Sequence, residues 1–249
     1  MGIPPVDLGY LLERSTELCA RLADAWEDLA PTAAGSAGPE VVKAGLDELF
    51  AVLQRIEDPL SDEHPGRLGT AELRDLAGHG VGLLAELAGC ARQLGMDHEA
   101  SAAEALTVPF SVLMAREGAE LAVLEPVVNA LAGLANGLSE PADLVQLFGL
   151  IGEILAAVSP ALAQDTDRTE PQRPWRVLLL NRAIVATRSH RPALMAMAFD
   201  TVLEHLPEEA PRFFEEGMAQ MDALDYPPPV REVMERYYLR HGPARRTLH

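Results

Sequence analysis

Five arginines, Arg173, Arg176, Arg182, Arg188 and Arg191, fall within residues 171–199, a stretch that contains no Asp or Glu. A guanidinium holds carboxylate or phosphate oxygens through two parallel N–H···O bonds, so this run has the chemistry of a site for an acidic ligand or partner. At helical spacing Arg182 shares a face with Trp175, Leu178, Leu179 and Ala186, while Val177, Leu180 and Ile184 cover much of the other side. Arg182, and its neighbour Asn181, are therefore expected to be partly buried and in need of partners. Those partners lie in an anionic ligand or another protein, or in the acidic remainder of the same chain or of a second copy. After Glu235 the tail adds Arg236, Arg240, Arg245 and Arg246, again without an acid.

A second cluster is apolar and polarisable. Met195, Met197, Met218, Met221 and Met234 are five of the eight methionines and lie close to Phe199, Phe213 and Phe214 in sequence. Flexible thioethers beside aromatic rings either fill a core or line an adaptable groove for an apolar helix or ligand.

Signatures of catalysis are missing. The chain has no phosphate-binding glycine loop, no dinucleotide fingerprint after a strand, no H-E-x-x-H and no G-x-S-x-G. No Glu-x-x-His pairs recur as a di-iron site requires, and no Cys/His cluster has zinc spacing. Asp58, Asp62, Glu63 and His64 supply carboxylates in one loop, but without the ligand order or central glycine of a calcium loop they read as a solvated turn. No catalytic residue, metal ligand or cofactor is assigned.

The elements that must carry these residues are helices. Of 249 residues, 48% are hydrophobic and 5% aromatic, so Leu, Ala and Val build the core, and Leu and Ala are strong helix formers. Alternating β-branched runs bounded by turns are nearly absent. The fold class is all-α: antiparallel helical hairpins in an α-solenoid of the HEAT, armadillo or TPR kind, or an irregular orthogonal helical array, with nine or ten helices. The hairpins recur at intervals of about forty residues without an internal consensus.

Leu8, Leu11, Leu12, Leu18, Leu22 and Trp26 trace the first stripe, and Thr70 and Asp97 suit the caps of later helices. Pro109 predicts a kink or a fresh start at Thr107. Between Leu121 and Ala163 the only charges are Glu125, Glu140, Asp143 and Glu153. Such a hairpin is buried by its neighbours or by a second copy, and Leu144, Leu147, Phe148, Ile151 and Leu155 form the expected self-association face. Glu153, at the middle of the longest apolar stretch, argues against a membrane span, as does the lack of aromatic and basic flanks.

Charge is unevenly laid out. The chain carries −18 overall; residues 1–170 account for −19 and residues 171–249 for +1. A polar, proline-punctuated segment at 163–174 separates an acidic region, 1–165, from an Arg- and Met-rich region, 166–249, which pack as one domain. A surface this negative repels nucleic acid and anionic membranes. The first residues lack a basic and an unbroken apolar signal region, and Cys19 and Cys90 fall on apolar stripes as buried thiols, which points to the cytoplasm. The reading that follows is a helical scaffold or adaptor acting through a protein partner or a second copy, and the alternative is a small-molecule or anion binder, or an enzyme, with an inter-helix pocket using Arg182.

Overall fold

The computed structural model of the protein describes residues 2–29, 38–57, 68–166, 168 and 170–243. The acidic turn carrying Asp58, Asp62, Glu63 and His64 lies outside the described residues, as do Arg245 and Arg246. Among those described there are eleven helices: α1 (Leu8–Leu29), α2 (Pro39–Glu57), α3 (Thr70–Gln93), α4 (Asp97–Arg116), α5 (Glu125–Gly137), α6 (Pro141–Ala157), α7 (Pro160–Ala163), α8 (Pro174–Arg188), α9 (Pro192–His205), α10 (Ala210–Ala223) and α11 (Pro228–His241).

Proline sets most of these starts. Every helix from α5 to α11 has proline at its first or second position, where φ is already helical and the missing N–H would have had no partner. The count exceeds nine or ten because Pro160 opens a separate single turn, α7. Two caps fall one residue earlier than the sequence suggests. The Gly69 N–H is held by the Glu72 carboxylate at 2.7 Å, so Thr70 is the first residue of α3; Met96 likewise precedes α4, leaving Asp97 inside it. Asp7 caps α1 through the Tyr10 N–H at 2.8 Å. The expected break at Thr107 is not realised. The α4 helix runs through Pro109, whose flanking residues, from Ala105 to Met114, are all buried, so tertiary packing carries the helix past one lost hydrogen bond.

The helices form an irregular packed array. α1 and α2 pair, as do α3 and α4, α8 and α9, and α10 and α11; α4 also touches α1, α5 and α6, and α8 also touches α5 and α6. Gly95 and Gly118, at φ +69° and +89°, turn the chain out of α3 and α4 in the left-handed conformation that glycine adopts freely. An isolated parallel bridge between Leu121 and Val158 ties the segment before α5 to the end of α6.

The central hairpin opens out in the structure. α5 and α6 scarcely touch each other and pack instead on α4 and α8. Leu144, Leu147, Phe148 and Ile151 are 1%, 0%, 6% and 0% exposed within the single chain, and Leu155 is half-buried. A helix apolar nearly all round has to be covered, and within the single chain α4 and α8 cover these four residues. No helix among the described residues is long and apolar enough to cross a membrane.

Candidate functional site

The α8 helix stands among α5, α6 and α9, which explains a sequence apolar on nearly every side. Its arginines go to four different places. Arg173, the residue before the helix, donates from Nε to Asp165 at 2.6 Å and from Nη2 to Glu209 at 2.5 Å. Asp165 is itself buried and sits at φ +47°, a left-handed position that Asp tolerates and that this clamp maintains. Arg176 flanks the same Glu209 at 3.5 Å and donates to the Pro171 carbonyl at 2.8 Å. Arg188 donates to the Ala135 and Leu138 carbonyls at 2.7 and 2.6 Å, closing the carboxyl end of α5. Arg191 is exposed at the start of α9.

Arg182 differs from all of these. It is 8% exposed, and its guanidinium lies 4.4 Å from the centroid of the Phe148 ring. Its hydrogen bonds are to Thr201 Oγ1 at 3.3 Å and Met197 Sδ at 3.5 Å, and its buried Nε has no partner. Burial pulls its pKa below the ordinary arginine range, although an arginine remains charged. Asn181 reaches across to the Val128 carbonyl at 3.4 Å. The five arginines thus do not converge on one site: Arg173 and Arg176 share an acidic clamp, and the others serve separate contacts.

The methionine cluster divides. Met195, Phe199 and Phe214 are core, where Phe199, Phe213, Phe214 and Tyr237 meet largely edge to face with centroids 5.1–5.7 Å apart. Met218 is half-buried and Met197 is 52% exposed beside Arg182. Met221 and Met234, together with Phe213, line a groove of about 430 Å³ between α8, α10 and α11. Ile184, Thr187 and Arg188 form its α8 wall, Glu216, Gly217 and Gln220 its α10 wall, and Leu224 and Tyr226 its end. Ile184 and Leu224 are 46% and 52% exposed, a large apolar surface left to water. An adjoining hollow of about 300 Å³ shares Arg188, Leu224 and Tyr226 and adds Ser139, Leu144, His190 and Asp225.

The groove's electrostatics follow from its pairs. Glu216 is engaged by Arg212 at 2.7 Å, and Asp222, on the same helix, by Arg231 at 2.9 Å. Arg188 spends two donors on carbonyls and has three left. The wall is therefore apolar with one guanidinium free to accept a carboxylate.

Gly217 was not legible as a residue of the groove. A Cβ there would stand 2.6 Å from Met234 Cε and 2.7 Å from its Sδ, so the absent side chain is what lets the thioether lie along α10. Its only sequence signal is a glycine within a helical pattern. Ile184, Leu224 and Tyr226 carry no such signal. A hollow of about 450 Å³ between the N-terminal segment and α4 includes Tyr10, Arg14, His98 and Ser101, but Arg14 is already paired with Glu17. Among the described residues no three His, Cys, Asp or Glu side chains gather as a metal site. No protein-family model, curated protein or solved structure matches the chain.

Proposed function

We propose that this chain is a non-enzymatic binding protein of the cytoplasm, which takes an apolar helical segment of a partner protein into the groove between α8, α10 and α11. The observation that carries this reading is the groove itself. Its floor is Met221, Met234 and Phe213, and its lip is Ile184 and Leu224, both about half exposed. Large apolar side chains left to solvent around a concavity are costly unless something covers them. Thioethers on the floor adapt to differently shaped side chains, which suits a helix seated by apolar anchors at i, i+3, i+4 and i+7.

The charge layout specifies the occupant further. Overall the chain is strongly acidic, but the groove lies in the region 171–249, which carries +1. With Glu216 and Asp222 paired to their arginines, Arg188 is the cation of the groove wall with donors to spare. An apolar helix bearing an Asp or Glu beside its anchors complements that wall.

Selection from a displayed library of random helical peptides tests the reading. The wild-type chain should enrich amphipathic sequences with an acid next to the apolar stripe, and Leu224→Arg, which changes an exposed position, should retain its fold and lose them. Equal enrichment by both proteins, or none by the wild type, would contradict the proposal.

A further inference from the structure

Three charged side chains are buried among the described residues: Asp165, Arg173 and Arg182. The first two neutralise each other. Arg182 is buried to the same degree as Arg173, yet no carboxylate pairs with it among the described residues, although the chain has 38 acids. A cation taken out of water without an anion is costly, and the usual remedies are a counter-charge or complete hydrogen bonding. Here neither is met. Nε has no acceptor, the thioether on Nη2 is a weak one, and the hydroxyl on Nη1 is at the long end for a hydrogen bond.

One face of the guanidinium rests on Phe148, and its outer edge is covered by Met197 and Thr201 of α9. Met197 is 52% exposed, so the cover over Nη2 is one flexible, solvated side chain. Thr201, half-buried, donates its hydroxyl to the Met197 carbonyl at 2.9 Å in this state. Rotating that hydroxyl supplies a further donor next to Nη1.

We propose that Arg182 and Thr201 form the binding site of a small oxyanion, a carboxylate or inorganic phosphate, which displaces the Met197 thioether and meets Nη1 and Nη2 with two oxygens. The planar fork of arginine suits either anion, and the Phe148 ring below keeps water from the other face. Two positions along α8 is about 200°, so Arg182 faces away from Ile184 and the groove. The proposal does not rest on the groove, and either can fail alone.

The experiment follows the Arg182 Nε–H resonance of the full ¹⁵N-labelled chain during separate titrations with sodium phosphate and sodium acetate, at ionic strength held constant with chloride. A saturable shift with phosphate alone assigns a phosphate site, with acetate alone a carboxylate site, and both results support the proposal. Met197→Ala should tighten the binding, and Arg182→Lys should weaken it about tenfold, the loss of one charge-assisted bond. A resonance that does not move in either titration overturns the proposal using the wild-type protein alone. So does an Arg182→Met variant whose melting temperature rises with the same anion as much as that of the wild type.

Discussion

Arg173 and Arg182 flank one stretch of α8, are equally buried, and have opposite surroundings. Arg173→Met should cost about 3 kcal/mol, because it strands the buried Asp165 carboxylate without a counter-charge. Arg182→Met strands nothing, and urea unfolding should find the variant at least as stable as the wild type. The wheel pattern of Trp175, Leu178, Leu179 and Ala186 was enough to place Arg182 inside. It could not say which acids would meet the other arginines, since Glu209 comes from a helix start 36 residues after Arg173. A titration belongs here as well. Burial, and then the hydrogen bond to Asp200 at 2.7 Å, push the Tyr237 phenol up from 10.0 to about 12. The folded state thus favours the neutral phenol. That contribution is complete below pH 10 and is lost as the pH rises toward 12, so one tyrosine should ionise only there, with stability falling across the same window. Absorbance of tyrosinate during alkaline titration reads it directly. Burial likewise raises the Cys19 thiol to about 11, which agrees with a thiol that packs rather than reacts.

Among the helices, α4 and α8 are the supports on which the others lean. The α3–α4 contact depends on Gly80, where a Cβ would lie 2.1 Å from Phe110 Cζ and 2.9 Å from Leu49 Cδ2. Phe110 is fully buried and cannot yield. Gly80→Ala should therefore lose about 1–3 kcal/mol to overpacking, more than the roughly 1 kcal/mol that helix propensity returns, as thermal unfolding would register. A charge at Leu147 separates the two readings of α6. With Leu147 at 0% exposure between α4 and α8, Leu147→Asp should unfold the chain at a cost of about 4 kcal/mol or more. Were the residue at a contact between copies, the variant would remain folded and merely dissociate, which sedimentation would reveal. Proline marks the helix starts from α5 to α11. A proline inside an apolar stretch, as at Pro126 and Pro160, does not itself reveal whether it begins a helix or interrupts one, and at α3 and α4 the caps fall on Gly69 and Met96 rather than on Thr70 and Asp97. Periodicity told that Leu144, Leu147, Phe148 and Ile151 are buried, but the identity of the covering surface is a long-range property that no local pattern encodes.

Across the whole molecule, acidity and the apolar opening are kept apart: residues 1–170 carry −19, and the groove lies in the remainder. Met221, Met234 and Phe213 were recognisable as groove-forming types, whereas Ile184 and Leu224 join them only because α8, α10 and the turn after it converge. Since Glu216 and Asp222 are engaged by Arg212 and Arg231 and the groove is lined mostly by apolar side chains, peptide binding should depend mainly on apolar anchors and only weakly on salt. The methionines offer the most direct reading of that site, because they sit both in it and far from it. In a methyl-labelled sample titrated with a selected peptide, the Met221 and Met234 methyl signals are expected to shift together and saturably, while Met114, fully buried in α4, stays in place. Shifts at Met114 without shifts at Met221 and Met234 would show that the peptide binds elsewhere, and the assignment of the groove would be wrong.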